Sequence, residues 1–176
     1  MGEPHTNQRL GSIIVSIIIA IRFVAALSFL YAFANDLRAR ALCILLLAVF
    51  TDVLDGHVAR RLGGASPFLG PYSDAVADFS LVLAAFSGLV LKGLYPFWIL
   101  PLIVGMFAQF VLTSRFEQPV YDPVGKYYGV FLFCAIGVTL VLPHIVVRQA
   151  VLVAILGFTI AVVISRAMFL LGLSNE

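Results

Sequence analysis

The chain has 176 residues, of which 62% are hydrophobic and only 11% are charged, and its mean hydropathy is +1.08. Soluble domains carry about 25% charged residues, so this composition excludes an ordinary soluble protein and predicts a polytopic membrane protein. The net charge of +2 is spread along the chain without a basic run, so no nucleic-acid partner is expected.

The apolar residues fall into six segments, each near the length of about 20 residues that a membrane-spanning helix needs. These segments run from about Ile13 to Ala34, Ala41 to Arg60, Ser73 to Leu91, Pro96 to Thr113, Gly125 to Leu142, and Ile145 to Leu171. The expected fold is therefore all-α, an integral membrane bundle of six transmembrane helices that forms a single domain over residues 1–176. No cleavable signal peptide is expected, because the first apolar segment is long enough to span a bilayer.

Six spans would place both termini on the same side of the membrane, and the excess of Lys and Arg in the loops predicts which side. One side would carry Arg9, Arg60, Arg61, Arg115 and Lys126, and the other Arg38, Arg40, Lys92 and Arg148. The small excess on the first side favours cytoplasmic termini and a cytoplasmic connection after Arg60. Tyr127 and Tyr128 are expected to anchor a helix end at the membrane interface.

Four of the nine acidic residues, Asp52, Asp55, Asp74 and Asp78, lie in or beside the second and third segments. A carboxylate at the centre of a spanning helix costs about 2.5–3.5 kcal/mol, so such residues normally face a polar cavity and mark function. Spacings of three and four residues place each pair on one face of its helix. Four converging carboxylates require neutralisation, and all-oxygen ligands favour Mg²⁺, Mn²⁺ or Ca²⁺ over zinc.

The alternative is a purely architectural network in which arginines neutralise the acids, but only Arg60, Arg61 and Arg22 are within reach. The residues beside the acids favour a ligand site instead. Gly56 and Ala59 leave a strip of small residues open to a ligand, and Arg60 can present a forked donor to a phosphate. This combination predicts a site for a nucleotide diphosphate, at which two metal ions could clamp the reacting oxygens.

These residues form the pattern Asp52-x2-Asp55-Gly56-x2-Ala59-Arg60, nine residues, then Gly70-x3-Asp74-x3-Asp78. The pattern resembles the signature of the CDP-alcohol phosphotransferases, and all eight specified residues are present. The signature covers 27 residues directly, and the six-segment layout extends the resemblance to nearly the whole chain.

The resemblance implies a homodimer of six-helix subunits whose active site opens to the cytoplasm at the membrane boundary. It implies two divalent metal ions, Mg²⁺ or Mn²⁺, held by the four aspartates, and a CDP group bound by three of those aspartates and the strip of small residues. The residues that it assigns to CDP binding are Asp52, Asp55, Gly56, Ala59, Arg60, Gly70 and Asp74. Asp78 would be the general base for the acceptor hydroxyl, which attacks the β-phosphorus of a CDP-alcohol, usually CDP-diacylglycerol, so that CMP leaves.

The acceptor alcohol is less well defined by the sequence, and glycerol 3-phosphate or an inositol phosphate is favoured. Arg115 and Lys126 flank a polar loop and are candidates for binding an acceptor phosphate, although interfacial anchoring would explain them equally well. The pair Gly125-Lys126 is similar to a Gly-Lys pair in phosphatidylglycerophosphate synthases, while the surrounding residues depart from that subfamily. Arg22, inside the first segment, would contact the acceptor phosphate or pair with an acid. Arg166 is expected to be structural or to extend toward an interface.

Two other functions also place acids in spanning helices. A divalent-cation transporter would do so, but it leaves Gly56, Ala59 and Arg60 unexplained. A membrane prenyltransferase also uses aspartate pairs with Mg²⁺ and a diphosphate, but with more spans and differently spaced acids. Dependence on a nucleotide separates the enzymes from the transporter, and the choice between a CDP-lipid and a prenyl diphosphate separates the two enzymes.

Overall fold

The computed structural model describes the backbone of residues 20–61, 71–113 and 127–170, and the side chains of residues 20–51, 75–112 and 127–168. All regular secondary structure in these ranges is helical, which confirms the predicted all-α class. The helices are α1 (Ala20–Ala34), α2 (Arg38–Arg61), α3 (Pro71–Leu91), α4 (Ile99–Thr113), α5 (Tyr128–Val141) and α6 (Ile145–Leu170).

The turn between α1 and α2 is closed by backbone hydrogen bonds around Asp36, which has a positive φ of 60°. The Leu37 N–H donates to the Ala32 carbonyl at 2.9 Å, and the Asp36 N–H donates to the Phe33 carbonyl at 3.2 Å. This is a Schellman motif, which satisfies the last carbonyls of a helix and reverses the chain. Asp is one of the few residues besides Gly that adopts this conformation readily.

The C-terminus of α3 ends in the same way, with Gly93 at φ 66°. The Leu94 N–H donates to the Leu89 carbonyl and the Gly93 N–H to the Val90 carbonyl, both at 2.9 Å. Glycine carries no Cβ and takes this backbone conformation without strain. The predicted end of this segment at Leu91 is therefore confirmed, as is the break at Pro143 between α5 and α6.

The chain divides into two compact units, residues 1–85 and 86–176, with the division inside α3. The core of the first unit consists of fully buried apolar side chains, among them Phe29, Phe33, Ala41, Leu45 and Leu81. The core of the second unit is built in the same manner, with Phe86, Ile99, Ile103, Ile136 and Ile155. Each core is dominated by branched aliphatic and phenyl side chains, which pack closely without polar atoms to satisfy.

Within the described ranges, Ile145–Met168 of α6 is the helical stretch that is long and apolar enough to cross a membrane. Four shorter apolar helical stretches accompany it: Ala20–Ala34, Ala75–Leu91, Ile99–Leu112 and Tyr128–Val141. Each of the six predicted segments thus contains a helix. Among the described residues, the helix of the sixth segment has the length and composition of a membrane span.

Two buried tyrosine–threonine pairs join elements of the second unit. The Tyr128 hydroxyl on α5 lies 2.9 Å from Thr159 Oγ1 on α6, and the Tyr95 hydroxyl lies 2.7 Å from Thr139 Oγ1 on α5. Thr139 donates its single hydroxyl hydrogen to the Ala135 carbonyl at 2.7 Å, so Tyr95 is the donor of its pair. The expectation that Tyr128 anchors an interface is wrong, because this side chain is buried and stacks on Phe158.

We expect Tyr128→Phe to lower the free energy of unfolding by about 0.5–1.5 kcal/mol, because the variant loses one buried hydrogen bond and leaves the Thr159 hydroxyl without that partner. A double-variant cycle with Thr159→Val, followed by thermal unfolding in detergent, measures the coupling directly. Tyr31→Phe is the matched control, since Tyr31 is 71% exposed. Equal destabilisation by both Tyr→Phe changes would contradict this account.

Candidate active site

The aspartate motif lies on two consecutive helices of the first unit. Asp52 and Asp55 belong to the C-terminal half of α2, which runs without interruption to Arg61. Asp74 and Asp78 belong to the first two turns of α3. Four further motif residues were predicted: Gly56, Ala59 and Arg60 lie on α2, and Gly70 lies outside the described residues, as do the acceptor candidates Arg115 and Lys126.

Asp52 shares a register position on α2 with residues nearer the start of that helix. Ala41 and Leu45 are fully buried, and Asp52 follows Ala41 by eleven residues, which is about three helical turns. Asp52 therefore occupies the same register position on the helix as these core residues. The side chains of residues 52–61 and 71–74 lie outside the described part of the chain, so the structure describes the carboxylate of Asp78 alone among the four aspartates.

The start of α3 suits the negative charge that the motif places there. Pro71 is the first helical residue, a position where the missing N–H costs nothing and the fixed φ suits a helix. The N-terminal turn of a helix carries a partial positive charge that stabilises nearby carboxylates. Asp74 belongs to this turn, and Asp78 follows one turn later.

Asp78 is paired with an arginine from another helix. Arg22 Nη1 on α1 donates to Asp78 Oδ1 at 2.5 Å, across 56 residues of sequence. Arg22 is 4% exposed, whereas the Asp78 side chain remains 34% exposed. Of the two roles that the sequence allowed for Arg22, the structure places it against an acid; contact with an acceptor phosphate stays a prediction.

Arg166, the other arginine buried in the described ranges, belongs to the second unit. Its residue is 2% exposed, and its guanidinium carbon lies 5.5 Å from the centroid of the Phe110 ring. Of the two roles that the sequence allowed for Arg166, its burial supports the structural one. A guanidinium is weakly hydrated and planar, so it can stack on an aromatic ring inside the fold at moderate cost.

The described residues contain no group of three His, Cys, Asp or Glu side chains that could hold a metal ion. The donor set of the motif nonetheless fits a hard divalent cation, because all four residues offer carboxylate oxygens from two helices that follow one another in the chain. The described member, Asp78, keeps about a third of its side chain exposed and is therefore accessible to a ligand.

The amino-acid sequence matches one known protein family over most of its length. The family described as CDP-alcohol phosphatidyltransferase matches residues 13–164, which includes both motif helices and most of the chain. The chain belongs to the CDP-alcohol phosphatidyltransferase family. The predicted resemblance, which came from the aspartate motif, is thereby confirmed.

Among curated proteins, the chain is similar to the "Probable phosphatidylglycerophosphate synthase" of two strains of Mycobacterium tuberculosis. In each case the identity is 32% over 112 residues, covering 58% of this chain and 53% of the relative. The chain thus spans about half the length of the curated relatives it matches. No solved structure matches the chain.

Proposed function

We propose that this CDP-alcohol phosphatidyltransferase family member is a phospholipid-synthesising enzyme. It transfers the phosphatidyl group of CDP-diacylglycerol to the hydroxyl of a phosphorylated alcohol, glycerol 3-phosphate or an inositol phosphate, and releases CMP. The observation that carries the proposal is the complete eight-residue motif, seven of whose residues lie on α2 and α3, within a family match over residues 13–164. Family membership also favours this reaction over cation transport and prenyl transfer.

The proposed setting is the cell membrane, with six spanning helices per subunit, a homodimer and an active site that faces the cytoplasm. Large apolar side chains on several helices are exposed, as a lipid-facing surface requires; examples are Leu27 at 68%, Val130 at 60% and Ile160 at 58%. A bilayer would cover such side chains without the cost of leaving them exposed to water. A lipid donor would reach the site from the same bilayer.

Asp52, Asp55, Asp74 and Asp78 would hold two divalent metal ions, Mg²⁺ or Mn²⁺. When bound, such ions supply neutralisation of the diphosphate charge and of the carboxylates, which would otherwise repel one another. The chain itself contributes the helical spacing that presents the two pairs. Gly56 and Ala59 leave room for the CDP group beside α2, Arg60 offers a forked donor to its phosphates, and Gly70 lies in the adjoining connection.

Asp78 would act as the general base. The acceptor hydroxyl transfers its proton to the Asp78 carboxylate as its oxygen bonds to the β-phosphorus of the donor. The bond between that phosphorus and the bridging oxygen of CMP breaks, and CMP leaves with the electron pair. A general base must lie within hydrogen-bond reach of the proton it removes, so the orientation of this carboxylate matters as much as its basicity.

Arg115 and Lys126 are proposed to bind the acceptor phosphate. Both lie near the ends of the connection between α4 and α5, and a phosphorylated acceptor needs cationic donors of this kind. The name of the curated relatives favours glycerol 3-phosphate as the acceptor. The purified protein in detergent, given CDP-diacylglycerol, Mg²⁺ and a panel of acceptors, tests this choice by mass spectrometry of the lipid product. The panel comprises glycerol 3-phosphate, inositol 1-phosphate, inositol, serine and choline.

A phosphorylated acceptor is expected to give the most product. A protein that uses free serine, choline or inositol in preference would overturn the acceptor proposal and leave the reaction class standing. Absence of any lipid product together with absence of CDP-diacylglycerol binding would overturn the reaction class.

We expect Lys126→Gln to raise the KM for the phosphorylated acceptor by about 10- to 100-fold, because a hydrogen bond to a charged group contributes about 1.5–3 kcal/mol. The KM for CDP-diacylglycerol should not change. Lys92→Gln, at the C-terminal end of α3, is the matched control and should alter neither value. Equal changes in both KM values for Lys126→Gln would contradict an acceptor-specific role.

A further inference from the structure

Arg22 occupies a position on α1 that packing would normally reserve for an apolar side chain. It is followed at intervals of four, three and four residues by Ala26, Phe29 and Phe33, which are all buried. These intervals place all four residues on one face of the helix. A charged group on the buried face is costly unless it is paired, so its presence there calls for a specific partner.

The partner is Asp78, whose carboxylate takes the proton of the acceptor hydroxyl in the proposed reaction. Asp78 precedes Val82 and Ala85 on the buried face of α3, by four and seven residues. Arg22 and Asp78 therefore extend two packed faces and meet at the edge of the first unit's core. The asymmetry of the pair is informative: the arginine is enclosed, while the carboxylate remains partly open to a ligand.

We propose that Arg22 is the positioning residue of Asp78. By donating Nη1 to Oδ1, it fixes the carboxylate of α3 from α1 and so sets the direction in which Asp78 faces the acceptor hydroxyl. A guanidinium is suited to this task because its donors lie in one rigid plane, which orients the carboxylate as well as neutralising it. The proposal rests on the proposed function, since it assigns Arg22 a part in that reaction.

The first test separates positioning from substrate binding. Arg22→Met keeps an unbranched apolar stem but removes the guanidinium donors, and should lower kcat by about 100-fold, the typical cost of misplacing a reacting group by about 1 Å. The KM values for both substrates should stay unchanged. Arg22→Lys keeps the charge but loses the planar guanidinium, and should recover only part of kcat. A selective rise in the acceptor KM would overturn the proposal in favour of direct contact with the acceptor phosphate.

A control on the same face of α1 accounts for loss of packing. Phe29→Leu reduces a fully buried side chain two turns away and should lower the melting temperature without lowering kcat. If Phe29→Leu lowers kcat as much as Arg22→Met, the effect of Arg22 is merely structural and the proposal fails.

The closing experiment is a double-variant cycle of Arg22→Met and Asp78→Asn, followed by thermal unfolding without substrate. The two shifts in melting temperature should sum to more than the shift of the double variant, because either change alone removes the charge attraction between the same two side chains. This result needs no turnover, so it stands even if the proposed reaction is wrong. Additive shifts in a protein that still transfers the phosphatidyl group would overturn the positioning role alone.

Discussion

Asp78→Asn is expected to lower the rate of CMP release by at least about 10²–10⁴-fold, the range that a positioned general base contributes. The amide has nearly the shape of the carboxylate and keeps an oxygen that accepts a hydrogen bond from Arg22, so the fold should remain intact. It cannot take the proton of the acceptor hydroxyl, and it is a poor ligand for a divalent cation. The measurement is steady-state CMP release, with the melting temperature recorded on the same sample.

Asp36→Asn provides the matched control for that change. Asp36 is exposed at the turn between α1 and α2, and Asn tolerates its positive φ equally well. This variant should keep the activity of the unaltered protein. Robust turnover by a well-folded Asp78→Asn variant would remove the general-base assignment.

Removal of divalent cations is expected to reduce CMP release to background. Without a cation, the four motif carboxylates and the diphosphate of the donor would be a concentration of like charge in a poorly hydrated site, where repulsion is strong. Chelation with EDTA, followed by addition of Mg²⁺ or Mn²⁺ in excess of the chelator, tests this directly. Readdition should restore the rate, and Zn²⁺ should restore it poorly because all the ligands are oxygens.

The readdition of metal can be repeated as a titration on two variants, one at a proposed ligand and one outside the motif. Asp55→Asn removes one proposed ligand on α2 and should raise the Mn²⁺ concentration needed for half-maximal activity, whereas Asp36→Asn should not. Full activity after exhaustive chelation would contradict the assignment of the four aspartates as metal ligands.

The helices could be predicted closely because their ends carry strong local signals. Gly93 takes the positive φ that closes α3, and Pro143 separates α5 from α6. The turn at Asp36 was equally local, since it depends on hydrogen bonds between residues at most five positions apart. The fourth segment begins at Ile99 instead of the predicted Pro96, because the Pro96 carbonyl accepts the Ile99 N–H and forms the turn that precedes the helix.

Contacts between residues that lie far apart in the sequence were harder to predict. The sequence allowed Arg22 to bind a phosphate or an acid, and spacing alone could not choose, because Asp78 lies 56 residues away. The interval pattern of Arg22, Ala26 and Phe29 was the available signal that this arginine faces the core. Burial likewise decided against the expected interfacial role of Tyr128, which bonds Thr159 across two helices.

The four-aspartate motif could be predicted from sequence because its chemistry is expressed in spacings along two helices. Three of its carboxylates lie outside the side chains that the structure describes, so their convergence stays a prediction. The direct test of the central claim is CMP release by the purified protein from CDP-diacylglycerol and glycerol 3-phosphate with Mg²⁺. The account predicts CMP and phospholipid product in equal amounts, both lost on chelation. CMP release without lipid product, or a rate of CMP release that does not depend on the acceptor, would contradict the proposed reaction.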